Sequence, residues 1–458
     1  MITLGFPTER CAEMYLAYPG CSSLDMSKWD TSEVTDMSHL FEGYSGEIPD
    51  ISNWNTKKVK NMQAMFKRTE GRVPDLSKWD TRNVTNMKEM FEMSFIEDFK
   101  APKWDVQKVT DMSYMFNQCQ NLKRVDIANW DLKNIINMSY VFSCCTSLRS
   151  IISYNWRVAN SLRMLTGTFN GCEKLISVDL SKFDTSRVID MSYFFCGAYK
   201  IRRIDISNFN TSLVENFRQA FAYCKEVVSI DLNDHFINYS ARNIRQVFMR
   251  CYFLKNINTN WNTDNVTEMR GLFEDCIRMR ALNVENFNTG NVTNMCGVFK
   301  SCRAIRKLDL HNWDTRNVLD MSEMFADCHS LINLDVTGWD TRNVTDMSEM
   351  FSFCMNLVEI KGIGGFQTDH LNELAYAFRN CQNLVTLNLS RFNFGHVTDV
   401  AYLLCDCVSL IEVSLPTGIN IGTFWQTFGS RRNCGQLFAK RAIAYNAFYG
   451  NMELEGEE

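Results

Sequence analysis

Cysteine recurs at spacings that could do chemistry. There are 18, and most fall at Cys21, Cys119, Cys145, Cys172, Cys224, Cys251, Cys276, Cys302, Cys328, Cys354, Cys381 and Cys407. Thiols in such a ladder could pair as disulfides or hold a soft metal. No C-x-x-C pair occurs and the six histidines are scattered, so the spacing does not support a zinc site. A disulfide ladder would leave neighbouring rungs competing for partners. The reading is a column of small, buried, reduced thiols, with Cys144 beside Cys145 and Cys405 near Cys407 as incidental neighbours.

Two further columns carry donor atoms. Met37, Met62, Met87, Met112, Met138, Met191, Met269, Met295, Met321 and Met347 each precede an aromatic by four residues, which reads as core packing rather than a metal path. Asp126, Asp179, Asp205, Asp231, Asp309 and Asp335 form an acidic column, interrupted by Asn283 and Asn388. Carboxylates one strand apart repel, and Arg124, Arg203 and Lys307, two positions earlier, can offset this. A flat carboxylate row lacks the oxygen cage that calcium needs. These nine residues together read as a polar, solvated face, either a binding surface or plain sheet exterior. No metal or cofactor is expected.

No catalytic set stands out. The chain has no phosphate-cradling glycine loop, nucleophile elbow or His–Glu metal helix, so an enzyme is not expected. Triplets such as Asn83-Val84-Thr85 and Asn343-Val344-Thr345 resemble glycosylation acceptors but arise as by-products of a repeat. Residues 200–319 hold 17 Lys+Arg against 12 Asp+Glu. That excess is a face for an acidic partner or an uneven solvated surface.

The repeat is what must position these columns. W-D-T-x-x-V-T-x-M-x-x-M-F recurs with its opener at Trp29, Trp54, Trp79, Trp104, Trp130, Trp156, Phe183, Phe209, Phe236, Trp261, Phe287, Trp313, Trp339, Phe366 and Phe392. A second aromatic follows after twelve residues, from Phe41 to Phe378, with Phe169 after thirteen and Leu404 in the last copy. Val344, Met347 and Phe351 fall at i, i+3 and i+7, which predicts a short helix on this arm, capped by Thr345 with Asp346 in its first turn. The other arm, as in Leu331, Leu334 and Val336, predicts a short strand with Asp335 pointing outward. Neither element can bury its apolar face alone, so the coils must stack. The expected fold is an α/β solenoid of about fifteen coils, with a parallel sheet on one face and short helices on the other.

L-x-x-L-D-L-S-x-W-D-T-x-N-V-T-D-M-S-x-M-F-x-x-C, as in His311–Cys328 with its HNWDTRNVLDMSEMFADC, resembles the BspA-type leucine-rich repeat of bacterial, protist and viral surface proteins. The resemblance covers residues 21–415 and implies binding or adhesion without one fixed ligand.

The ends depart from the pattern. Residues 1–20 read as a partial coil with Tyr18 at the aromatic position. The first three coils lack the cysteine and carry Pro49, Pro74 and Pro102, which suits a blunted sheet end. Residues 416–458 read as a C-terminal cap or a docking and self-assembly element, with a helix from about Asn433 and an acidic tail. Hydrophobic residues make up 45% of the 458, so disorder is excluded. A net charge of −5 argues against nucleic acid as main partner. No run is long enough to insert in a membrane, and no secretory signal is visible. The expected location is therefore the cytoplasm or a virus particle. The expected function is protein or cell-surface-ligand binding through the strand face, with a structural or receptor-binding virion component as the alternative.

Overall fold

The computed structural model describes residues 26–417 apart from Asn155 and His235. The chain forms two compact units, Met1–Asn258 and Thr259–Glu458. In the first, short strands β1 (Asp98–Lys100), β2 (Arg124–Asp126), β3 (Asp131–Leu132), β4 (Ser150–Ile152), β5 (Arg157–Val158), β6 (Arg203–Asp205) and β7 (Ser229–Asp231) form. In the second come β8 (Asn333–Asp335), β9 (Glu359–Lys361), β10 (Thr386–Asn388) and β11 (Glu412–Ser414). The sheets are β1-β2-β4, β3-β5, β6-β7, β8-β9 and β10-β11, and every pair is parallel. Both units are therefore β-solenoid. In β8 only the middle residue, Leu334, turns inward, facing Ile360 of the next coil.

Of the proline-bearing coils, neither Ile48–Asp50 nor Val73–Asp75 forms a strand, while the coil of Pro102 carries β1. The Tyr18 coil, Cys21 and the predicted helix from Asn433 lie outside the described residues.

The expected helices are not there. Among the described residues the only helical segments are 3-10 turns at Met26–Lys28 and Ile363–Gly365. The arm from Val344 to Cys354 shows why. Glu349 (φ 55°) and Phe353 (φ 60°) take the left-handed conformation on either side of Phe351. A residue of that kind every fourth position cannot continue a right-handed helix. The donors of Met347, Glu349, Phe351 and Phe353 instead reach the carbonyls of Glu373, Ala375, Ala377 and Arg379 in the next coil, at 2.7–2.9 Å. The intervening N–H groups close local turns, as Ser352 does to Glu349 (3.0 Å). A two-turn helix is too short to hold itself together, and the neighbouring coil supplies better-placed acceptors.

The residues read as a helix start do cap something. Asp346 Oδ1 accepts the Ser348 N–H at 2.8 Å, forming a side-chain-closed turn. Equivalent residues bridge from coil to coil, Asp36 through Asn243 in the first unit and Glu268 through Asp399 in the second. The expected count of about fifteen coils in a single array is not supported among the described residues, which fall in two units.

The core is columnar. Phe41, Phe66, Phe91 and Phe116 stack at 5.3–5.5 Å with rings within 5° of parallel. Offset stacking of this kind adds about 0.5–1.5 kcal/mol per pair beyond burial. The openers stack likewise, with Trp79 on Trp104 and Trp104 on Trp130. The indole N–H groups of Trp54, Trp79, Trp104, Trp130 and Trp313 are satisfied by the preceding coil, Trp313 donating to the Val284 carbonyl at 3.1 Å. The threonine two residues on reaches the other way, Thr315 Oγ1 donating to Asp340 O of the following coil at 2.9 Å. The methionine column is fully buried, as expected.

Candidate interaction face

The thiol ladder is built for donation. Cys119 Sγ lies 2.9 Å from Phe91 O, Cys145 3.0 Å from Phe116 O, and Cys354 3.1 Å from Phe325 O. Each of these three thiols thus adds a second bond to a carbonyl of the coil before it, one that already accepts a local N–H. No disulfide forms among the described cysteines. Burial pushes Cys119, Cys328 and Cys381 up to about 12. A thiol held neutral in this way is a poor nucleophile and a poor metal ligand. Among the described residues no group of three or more His, Cys, Asp or Glu is placed to hold a metal ion.

The acidic column has a structural task. Asp126 accepts the Ala128 N–H (3.3 Å), Asp179 that of Ser181 (2.9 Å) and Asp205 that of Ser207 (3.2 Å). In the second unit Asp309 accepts from His311 (3.3 Å) and Asp335 from Thr337 (2.9 Å). Asn283 and Asn388, which interrupt the column, accept from Glu285 and Ser390 in the same way, while Ile152 and Lys361 stand in register with Asp126 and Asp335. The column therefore closes the turn after the strand, a task an aspartate or an asparagine oxygen performs equally. Bonds from Ser207 hold the Asp205 carboxyl below its usual range, and Ser181 does the same for Asp179. Lys361, at 2.7 Å, then Thr337, bring Asp335 down to about 2.

The expected offset of like charge is met mainly between coils. Arg124 makes a two-pronged bond to Asp98 of the coil before, 2.9 Å to each oxygen. Arg203 reaches diagonally to Asp231 at 2.6 Å and lies 3.6 Å from Asp205. Lys307 is exposed and has no ion-pair partner among the described residues. Of the nine expected face residues, Arg124, Asp126, Arg203, Asp205 and Asp231 lie on strands of the first unit, with Asp179 one coil from β4. Lys307, Asp309 and Asp335 belong to the second.

A column missing from that set lies immediately before the strand. In the first unit it is Lys123, Arg149, Ile176, Arg202 and Val228, joined by backbone bonds such as Ile176 N to Arg149 O and Val228 N to Arg202 O. In the second it is Arg306, Ile332, Val358, Val385 and Ile411. The signal was available: between copies this position changes from the cations Lys123, Arg149 and Arg202 to the β-branched Ile176 and Val228.

The first unit also has a fault in its opener stack. Trp156 stands edge-on to Phe142, Phe169 and Phe183, at 82–90°. Its indole N–H is buried without a partner. Here Arg157 and Val158 replace the usual Asp-Thr pair and form β5 against β3. A shallow concavity of about 600 Å³ is lined by Asn129, Asp131, Arg157 and Lys182.

Among solved structures the chain is similar to a leucine-rich repeat protein from Bacteroides ovatus ATCC 8483, at 17% identity and a TM-score of 0.39, covering 68% of this chain and 77% of that one. It is similar to a leucine rich cell surface protein from Faecalibacterium prausnitzii A2-165, at 16% identity and a TM-score of 0.37, covering 73% and 82%. A leucine-rich repeat protein from Eubacterium ventriosum ATCC 27560 matches at 15% identity and a TM-score of 0.28, covering 84% and 77%. No curated protein matches the chain. The family model described as Mycoplasma protein of unknown function, DUF285, matches residues 10–121, 70–174, 154–251, 242–359 and 330–414. Those overlapping segments run from residue 10 to 414, and the chain belongs to the DUF285 family.

Proposed function

We propose that the protein is a non-enzymatic repeat protein of the BspA-like leucine-rich kind that captures a protein partner or cell-surface ligand on the strand face of its first unit. One observation carries this reading. Core, capping and donor columns are each committed to the fold, whereas Lys123, Arg149, Ile176, Arg202 and Val228 change chemistry from coil to coil on a backbone already hydrogen-bonded to its neighbours. A rigid face of this kind loses little conformational freedom on binding. Arg149 and Ile176 are exposed and adjacent, and Arg203 stands on the same face one coil further on.

The test is capture of partners from a native extract, identified by mass spectrometry. Replacing Arg149→Glu, Ile176→Asp and Arg203→Glu together is expected to abolish specific capture and to leave circular dichroism unchanged. Arg203→Glu forfeits its exposed bond to Asp231, so a small loss of melting temperature accompanies it. Undiminished capture by this folded variant overturns the strand-face reading.

A further inference from the structure

The second unit carries a stripe whose chemistry is complementary to itself. Arg306, Ile332, Val358, Val385 and Ile411 stand on successive coils, each linked to the last by a backbone bond: Ile332 N to Arg306 O, Val358 N to Ile332 O, Val385 N to Val358 O and Ile411 N to Val385 O. Ile332 is 41% exposed, Val358 40% and Ile411 37%, high values for β-branched residues in a solenoid whose other apolar columns are buried. Beside this stripe runs the first strand position: Lys307, Asn333, Glu359, Thr386 and Glu412, all exposed. Charge is therefore positive at one end, at Arg306 and Lys307, and negative at the other, at Glu412. Neither Lys307 nor Glu412 has an ion-pair partner among the described residues.

We propose that this stripe is the interface of a two-fold dimer, its occupant a second copy of the chain. A two-fold axis crossing the stripe at Val358 lays the two stripes antiparallel. Val358 then meets its own copy, Ile332 meets Val385, and Lys307 meets Glu412 at both ends. An isologous contact requires a patch that matches its own reverse, and opposite charges at the two ends of an apolar row provide that. A parallel arrangement would set Lys307 against Lys307 and Glu412 against Glu412. The antiparallel one brings together only one like pair, Glu359 with its copy at the axis. The backbone of the stripe is already bonded between coils, so side chains make the contact rather than an added strand. Five coils at about 4.8 Å give a patch roughly 20 Å long. That is small for a protein interface, so a dissociation constant on the order of tens of micromolar is expected.

Sedimentation velocity on the full chain, from about 1 to about 200 μM, reads the outcome on this affinity scale. A reversible monomer–dimer equilibrium is expected. Val358→Asp, which places two carboxylates at the axis, abolishes it while far-ultraviolet circular dichroism stays unchanged. Lys307→Glu weakens the dimer about tenfold, since each end then repels. Combining Lys307→Glu with Glu412→Lys restores the affinity, which only the antiparallel pairing explains. Glu359→Gln tightens it several-fold. A monomer at the highest concentration, a dimer that survives Val358→Asp, an unrestored double exchange, or growth into larger assemblies each overturns the proposal. None of these outcomes touches the first-unit residues used to test partner capture, so the two readings fail separately.

Discussion

The Cys354 thiol donates to the main-chain carbonyl of Phe325 in the preceding coil, 3.1 Å away. The same relation recurs at Cys302 with Phe273, Cys328 with Phe299 and Cys381 with Phe351. Phe325 O already accepts the Cys328 N–H at 3.1 Å within its own turn, and the Cys354 thiol adds a second donor from the next coil. Cys354→Val keeps the volume and removes the donor. It is expected to cost about 0.5–1.5 kcal/mol, the net contribution of one hydrogen bond, because the carbonyl keeps its bond from the Cys328 N–H. Cys354→Ser keeps a donor and is expected to lose less. Denaturant unfolding of both variants decides the matter, and a valine variant as stable as the parent would show that the thiol bond contributes nothing.

The ladder also sets an alkaline limit. Burial raises the folded-state thiols at Cys119, Cys328 and Cys381 from 9.0 to about 12, and raises Cys145, Cys302 and Cys354 well above 9.0. Below pH 9 the thiols are protonated in both states, and their full contribution to stability is present. Above it the unfolded chain ionises and the folded chain does not, so stability falls as pH rises from about 9 towards 12. Melting temperature followed through this window should drop steeply, and less steeply when several ladder cysteines are replaced by serine. A parent and a serine variant with the same slope would remove the thiols from the explanation.

Glu349 tests the left-handed columns. Its φ of 55° suits glycine, and Gly297 holds the equivalent position two coils earlier at 61°. Glu349→Gly is expected to be neutral or stabilising by up to about 1 kcal/mol, relief of strain outweighing the greater freedom of the unfolded chain. Glu349→Val is expected to cost about 1–3 kcal/mol, because a β-branched residue tolerates this conformation poorly. Thermal unfolding of the pair checks it. Equal melting temperatures for glycine and valine would contradict the assigned backbone.

Asp179 tests the acidic column. Asp179→Asn keeps the oxygen that accepts the Ser181 N–H and should change stability little. Asp179→Ala removes it and should cost roughly 1 kcal/mol. If asparagine is as damaging as alanine, the charge matters more than the cap.

Much of the fold was legible because it is written in columns. The opener spacing and the L-x-x-L-x-L arm led to stacked coils with a short parallel strand, and Leu334 faces Ile360 as that arm required. The methionine and cysteine columns were placed correctly, since a fixed apolar residue one repeat apart is core wherever coils stack. The helical arm failed on periodicity. Val344, Met347 and Phe351 point inward in a helix and equally in a chain of tight turns, so i, i+3 and i+7 does not separate the two. What separates them is Gly167, Gly171, Gly197, Gly271 and Gly297 at positions two before or two after the second aromatic, where the non-glycine residues found with positive φ include no valine, isoleucine or threonine. For the face, the recurrent aspartates drew attention, and Asp126, Asp179, Asp205, Asp309 and Asp335 each accept a backbone N–H that closes a turn. The changing residues before the strand, Arg149 and Ile176 among them, looked like noise beside the pattern and are the uncommitted surface.

The bonds between turn arms run along the stacking direction. When Met347, Glu349, Phe351 and Phe353 each hand their proton to the next coil, tension applied to the end of a unit loads those bonds lengthwise and one coil at a time. Such a molecule does not resist pulling as a block. It peels, yielding at a low and nearly constant force, with each step paying out one coil of chain, about 90 Å when drawn straight. Released, a coil finds its acceptors waiting on the coil beneath. Each solenoid unit would then act under load as a slack-giving tether rather than a stiff strut.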